Sequence, residues 1–384
     1  MRFLTAGESH GKCLSVIIEG VPAGLKISID QINAELFRRQ AGYGRGGRMK
    51  IEKDTVEILS GVRAGFSLGS PITLAIYNKD WENWKAIMSP ELTADVNSRK
   101  MTRPRPGHAD LVGAIKYGFT DLRNVLERSS ARETAARVAV GAVAKAMLAE
   151  LKVEVFSHVL RIGRQEVKRE LTLPQIKEKA PSSPVYCADS EAEVRMLKEI
   201  DEAIAQGDTL GGIFEVIALN LPIGLGSYVH WDRKLDGKLA QSLMSIQAIK
   251  AVEIGMGIES ASLPGSQVHD EIMYNEEKGF YHKTNRAGGL LGGVTTGEPL
   301  RIKAAMKPIP TLMKPLNSVD FITKIPAQGS IERSDVCAVP AASVVGEAAV
   351  AWVLAQAIVE KFGGDRMGEI SKRVEEYRAY VRQV

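Results

Sequence analysis

The sequence predicts an α+β fold, with antiparallel sheets sandwiching a helical layer and two pseudo-symmetric duplicated halves in one compact domain over residues 1–384. Three observations predict it. β-like runs come in adjacent groups instead of alternating singly with helices, which disfavours a doubly wound parallel sheet. Two alanine- and valine-rich segments, 130–151 and 341–361, are apolar over most of their faces and belong in the interior. Blocks of sequence also recur, in the same order, in the first and second halves.

The recurrence is ungapped within each block. GESHGKCLSVIIEGVPAGL at 7–25 matches GDTLGGIFEVIALNLPIGL at 207–225, pairing Gly7, Gly11, Val16, Ile17, Pro22, Gly24 and Leu25 with Gly207, Gly211, Val216, Ile217, Pro222, Gly224 and Leu225. ERSSARETAARVAVGAVAKA at 127–146 aligns with ERSDVCAVPAASVVGEAAVA at 332–351, and GSPITLAI at 69–76 more weakly with GEPLRIKA at 297–304. Halves of roughly 1–200 and 201–384 should pack about a pseudo-two-fold axis, with 127–132 and 332–337 facing one cleft.

In chain order, each half opens on a glycine turn and an alternating run that reads as a strand, Leu14–Glu19 and Phe214–Leu219. A proline-glycine turn follows, then an amphipathic helix, Ile29–Arg39 and Asp232–Ile249. RPRPGHAD at 103–110 is a stiff approach to a helix starting near Ala109. ERSSARET sets Ser129, Ser130 and Arg132 at the mouth of a helix starting near residue 131. That mouth reads either as an anion site or as a serine N-cap with Glu133 completing a capping box.

Composition excludes several classes. No apolar run is read as approaching the ~20 residues that cross a bilayer, so no membrane partner is expected. MRFLTAGESHG lacks the basic-then-apolar order of a signal peptide, and the expectation is a cytoplasmic chain. Cys13, Cys187 and Cys337 are too few and too scattered for a disulfide framework or a zinc site, and no metal is expected. A net charge of +4 with 6% aromatics argues against nucleic acid, including RNA binding through GYGRGGR.

The placing of charge is more telling than its sum. Arginines crowd at Arg38, Arg39, Arg45 and Arg48, at Arg103 and Arg105, and at Arg123, Arg128 and Arg132. Guanidinium forks grip phosphates and carboxylates, so a small polyanionic ligand fits. His10 lies in a glycine-flanked turn and His108 in an arginine-flanked loop, both suited to moving protons. His158, His230, His269 and His282 lack such surroundings. Asp335 stands where the first copy has Ser130, as either a cap or a proton acceptor. NRAGGLLGGVTTG at 285–297 lets backbone approach a flat or phosphorylated ligand. A small-molecule kinase using it as a phosphate loop is the rival reading, but no magnesium-binding carboxylate pair stands out.

Together these segments resemble the chorismate synthase family. The resemblance rests on GESHG at 7–11, RPGHAD at 105–110, ERSSARET at 127–134 and Arg333-Ser334-Asp335 leading to Glu347, with GYGRGGRMKIE at 42–52 of the bacterial type. It implies a phosphate lyase converting 5-enolpyruvylshikimate 3-phosphate to chorismate, in the shikimate pathway of aromatic amino acid biosynthesis. The reaction is a 1,4-anti elimination that needs reduced FMN without net redox change. The resemblance puts His10 beside the departing phosphate, His108 beside the reduced flavin and Asp335 where it helps flavin N5 take the C6 hydrogen. It implies flavin contacts at Arg128, Ser129, Ser130, Gln247 (where Asn is common), Ala248, Gly292, Lys307, Pro308, Ile309, Pro310, Thr311 and Arg333. Ser9, Arg39, Arg45, Arg48 and Arg132 are the implied substrate contacts. Arg39 and Arg45 are also the proposed contacts of NADPH as a reductant. The assembly implied is a homotetramer.

Overall fold

The computed structural model describes residues 1–46, 53–277, 279–332 and 334–384; Arg48 and Arg333 lie outside the described residues. The first half runs β1 (Arg2–Ala6), β2 (Cys13–Glu19), α1 (Ile29–Gln40), β3 (Glu57–Ser60), β4 (Val62–Arg63), β5 (Phe66–Ser67) and β6 (Ile72–Tyr77). Helices α2 (Asp110–Tyr117), α3 (Arg123–Ser129) and α4 (Thr134–Glu150) follow. The chain continues through β7 (Glu154–Ile162), β8 (Gln165–Glu166), α5 (Leu173–Lys179), α6 (Ser190–Gln206) and β9 (Gly212–Leu219). Then come α7 (Leu235–Met244), β10 (Ile249–Ile254), the hairpins β11 (Ile272–Asn275) with β12 (Gly279–His282) and β13 (Leu290–Leu291) with β14 (Val294–Thr295), and β15 (Leu300–Met306). Helices α8 (Val339–Phe362) and α9 (Met367–Val381) close the chain.

The layers follow from the apolar pattern. Antiparallel β1-β2-β6-β3 forms one sheet, whose inner face is Leu14, Val16, Ile18, Ile72, Leu74 and Ile76. The other sheet is β10-β15-β9-β7-β8, also antiparallel. Between them α4 packs on the first sheet, α8 on the second, and the two helices on each other. At that crossing Gly141 lies so close to α8 that an added Cβ would stand 2.2 Å from the Cβ of Ala348. A helix-interior glycine ordinarily gains stability on becoming alanine. Here the sign reverses: Gly141→Ala is expected to destabilise by about 1–3 kcal/mol through overpacking, read as a lower urea midpoint, and a raised midpoint would contradict this packing.

The four strands of the first sheet match β7-β9-β15-β10 of the second in order and in the register of the central pair, and β8 is an extra edge strand. Cys13 faces Tyr77 and Ile18 faces Ile72 in the first, while Ile213 faces Ala305 and Ala218 faces Leu300 in the second. The loops match as well. The Leu25 amide donates to Ser67 Oγ at 2.9 Å and that hydroxyl to the Pro22 carbonyl at 2.6 Å. The Leu225 amide likewise donates to Thr295 Oγ1 at 2.8 Å, and that hydroxyl to the Pro222 carbonyl at 2.7 Å.

Four expectations need correction. The run at Phe214–Leu219 is a strand but does not alternate in burial: β9 is buried on both faces, because α5 and its flanks cover the side away from α8, packing Ile176, Ala180 and Ala188 on Ile217. The helix expected over Asp232–Ile249 is shorter: a 3-10 turn spans Trp231–Arg233, α7 stops at Met244, and Ile249 already begins β10. The capping box at Ser130 does not form, because Glu133 reaches Arg137 and Thr5 instead. Finally, α8 is by length and composition a helix that could cross a membrane, yet 89% of its most apolar window is buried inside the protein.

Candidate active site

The loop between β1 and β2 is set by Gly7, at φ +108°, where a Cβ would meet the Cys13 carbonyl at 2.3 Å. It brings Ser9 and His10 onto the C-terminal end of α3. The Ser9 amide donates to the Glu127 carbonyl at 2.9 Å, and the His10 amide to the Glu127 carboxylate at 2.8 Å. His10 Nδ1 lies 2.9 Å from Glu127 Oε1, and the imidazole stacks on Trp84 at 4.0 Å. Burial alone would push the Glu127 carboxyl up. His10 and Arg123 more than reverse this, holding it below the usual carboxylate range.

His108 sits where the sequence puts it, just before α2. Its loop is stapled by a bidentate pair, with Arg105 Nε donating to Asp110 Oδ2 at 2.8 Å and Nη2 to Oδ1 at 2.9 Å. The Lys307 ammonium donates to the Gly107 carbonyl at 2.7 Å, and His108 Nε2 is 3.1 Å from the Thr311 hydroxyl. Burial, with Arg105 and Lys307 adding and Asp110 opposing, holds the imidazole down to about 4.

Arg39 projects from the last turn of α1 into the floor, donating from Nε to Thr134 at 2.9 Å and from Nη2 to the Ala131 carbonyl at 3.1 Å. Asp54, which is buried, receives Arg132 at 2.8 Å and has Arg39 at 3.5 Å. Burial and the neighbouring Arg132 and Arg45 push the Arg39 guanidinium down to about 9 despite Asp54. Asp335 is gripped on one oxygen by Arg45 at 2.9 Å and on the other by the Gly46 amide at 2.6 Å.

These elements border one cleft of about 1040 Å³. It gathers His10, His108 and Asp335, and with them Ser9, Arg39, Arg45, Arg132, Ser129, Ser130, Gln247, Ala248, Lys307, Ile309, Pro310 and Thr311. Part of its lining is apolar, with Met244, Ile246, Ala341, Ala342 and Val345. Gln247 Oε1 is buried with no partner among the described residues, and Ala248 holds φ +68° beside it. Pro308, Arg128 and Gly292 do not line the cleft. Arg128 instead ties down the Thr5 and Gly7 carbonyls, and Gly292 sits in the β13–β14 turn. Gly288, Gly289, Gly293 and Gly297 serve close packing, a Cβ at Gly288 meeting the Gly255 nitrogen at 2.3 Å, whereas a Cβ at Gly292 would meet nothing closer than 3.9 Å. Residues 42–46 are likewise tucked under 334–337, with the Val336 amide donating to the Gly44 carbonyl at 2.9 Å.

Sequence reasoning missed Trp84, Asp54 and the role of Glu127. Glu127 stood inside a quoted motif, and its copy Glu332 was the available signal: Arg123 bridges the two at 3.2 Å each.

A family model described as "Chorismate synthase" matches residues 1–359. The chain belongs to the chorismate synthase family. A chorismate synthase of Moorella thermoacetica is 62% identical over 384 residues, covering 100% of both chains, and one of Desulforamulus reducens is 58% identical over 386 residues with the same coverage. A solved structure entitled "Crystal Structure of Chorismate Synthase" matches with TM-score 0.82 and 47% identity over 100% of this chain and 98% of that one. Chorismate synthases are carbon–oxygen lyases of aromatic amino acid biosynthesis, and no similarity found supports a small-molecule kinase.

Proposed function

We propose that this cleft converts 5-enolpyruvylshikimate 3-phosphate to chorismate by 1,4-anti elimination of phosphate, with reduced FMN bound alongside. One observation carries the reading: Arg39, Arg45 and Arg132 converge in the cleft that also receives His10. A ring bearing a phosphate and two carboxylates meets both needs, bidentate guanidinium partners and a proton donor at the leaving group. With Glu127 on Nδ1, His10 keeps Nε2 for the departing phosphate. Asp335 is assigned to the side from which the C6 hydrogen leaves. Arg39 is 4% exposed on the cleft floor, which favours substrate anions over NADPH as its ligand.

The residues fit a flavin. The apolar part of the lining suits a flat ring, and Gln247 Oε1 is an acceptor awaiting a donor. Ser129, Ser130, Gln247, Ala248 and the 307–311 run would hold it, with His108 against its anionic form. When bound, reduced FMN supplies electron density transiently to the ring losing phosphate. Shared strand order and register support reading the cleft as the junction of two duplicated halves. Exposed Leu4, Tyr228 and Trp231, at 72%, 77% and 77%, support self-association, which the reading takes as a homotetramer of a cytoplasmic enzyme.

The test is an anaerobic assay with the enolpyruvyl substrate and chemically reduced FMN. Phosphate release is expected, and its absence overturns the reading. His10→Ala is expected to lower turnover by about 10²–10⁴-fold while flavin affinity stays within a few fold. Wild-type turnover in that variant would remove His10 from the reaction.

A further inference from the structure

We propose that Glu127 is the positioning residue of this site, fixing the tautomer and orientation of His10 so that its Nε2 is left to face the cleft. The inference rests on the reading of His10 as the group facing the leaving phosphate, and deepens it.

Glu127 is 3% exposed and uses its carboxylate twice on the same residue, on the His10 amide at 2.8 Å and on its Nδ1 at 2.9 and 3.1 Å. An ionised carboxylate only accepts, so Nδ1 must be the donor, and the neutral ring then carries its lone pair on Nε2. The same logic applies wherever a carboxylate orients a working imidazole.

The surroundings keep this arrangement ionised and rigid. Arg123 Nη1 stands 3.2 Å from Glu127 Oε1 and holds the carboxylate in its charged form. Arg123 is itself anchored by donating from Nε to the Arg99 carbonyl at 2.6 Å and from Nη2 to Glu332 at 3.2 Å. Trp84 covers one face of the imidazole at an interplanar angle of 25°, with the Arg123 guanidinium 5.0 Å from the indole centroid. The ring therefore has one face blocked and one nitrogen occupied. The cleft receives what remains.

A purely structural role would predict something different. If Glu127 only stapled the Gly7–Gly11 loop, its loss would lower stability and raise KM, leaving the pH profile and tautomer unchanged. The experiment compares Glu127→Gln and Glu127→Asp with the unaltered protein, using nitrogen-15 NMR of His10 in the ligand-free protein and kcat against pH under anaerobic assay. Glu127→Gln is expected to lower kcat about 10–100-fold with KM within a few fold. The alkaline limb of kcat should move to lower pH, since an acid that loses its stabilising anion gives up its proton sooner. Its His10 signals should lose the fixed Nδ1–H tautomer. Glu127→Asp keeps the charge, so it should retain the tautomer and the position of the limb at reduced kcat. Adding Glu127→Gln to His10→Ala should cost no further turnover, because the two act as a unit.

An unshifted limb and an unchanged tautomer in Glu127→Gln would overturn the proposal, whatever happens to stability. Should His10→Ala turn over normally, the reading of His10 fails while the NMR result still decides what Glu127 does to the ring. If Glu127→Gln does not fold, Glu127→Asp decides: a lost tautomer there, with the charge retained, refutes charge-based positioning.

Discussion

Glu347→Ala is expected to destabilise the fold by about 3 kcal/mol, the largest single loss expected outside the cleft. The carboxylate sits in the middle of α8 with no exposure and takes Arg38 at 2.8 and 2.7 Å, Lys145 at 2.6 Å and Ser157 at 2.6 Å. These partners come from α1, α4 and β7, so one side chain ties both central helices to the second sheet. Burial pushes the carboxyl up, but Lys145 and Arg38 overcome it and hold it well below its ordinary value. Removal strands two cations near the core, which costs more than the pair itself contributes. Glu35 still faces both cations at 2.8–3.1 Å, which places the loss at the lower end of the range for broken buried pairs. The pH dependence follows from the sign of the shift. A depressed folded pKa adds stability above the unfolded value, 4.5, and that stability drains away as pH falls below it. The variant should therefore show a flatter acid limb in its urea midpoint. A loss under about 1 kcal/mol, or an unchanged acid limb, would show that the network contributes little.

How far the sequence reached is clear from individual residues. The inner faces of β2 and α1 were legible because Leu14, Val16 and Ile18 alternate and Ile32, Leu36 and Arg39 recur at helical spacing. Gly141 and Gly346 aligned as copies, and both prove to be contact points, Gly141 against Ala348 and Gly346 against Phe214. The helix expected through Ile249 failed because Leu239, Leu243, Ile246 and Ile249 keep a helix-like spacing from α7 into β10, and periodicity cannot see a change of element without a glycine or proline between. Most of the candidate site was legible because glycines and prolines mark its loops. Trp84 and Asp54 were not: each lies in irregular chain, and each matters only because the fold carries it to His10 or Arg132. Arg128 shows the limit of reading a motif as one surface. It shares a motif with Ser129 and Ser130, but one residue along a helix turns its side chain away from the cleft and onto β1.

An anion bound beside His108 should bind together with a proton, and this is the largest effect expected on ligand affinity. In the ligand-free protein the imidazole is held down to about 4, so near neutrality it is uncharged. Its folded pKa lies below the unfolded 6.5, so between those values the unfolded chain binds more protons and the fold loses stability as pH falls. A reduced, anionic flavin reverses the balance locally: its charge opposes the burial and the Arg105 and Lys307 cations that keep the ring neutral. Binding then takes up a proton across that window, and affinity should rise as pH falls, by at most about tenfold per unit. The flavin has titrating groups of its own, so the decisive quantity is the difference between the unaltered protein and His108→Gln. Anaerobic titration calorimetry with reduced FMN in two buffers of unlike ionisation enthalpy should show proton uptake by the former exceeding that of the variant below neutrality. Glutamine can still reach the Thr311 hydroxyl, so fold and flavin contacts are kept while the proton site is lost. Equal uptake by both proteins would mean that His108 stays neutral with flavin bound. It would then serve as a neutral hydrogen-bonding partner of the flavin, and the acid of this cleft would be His10 alone.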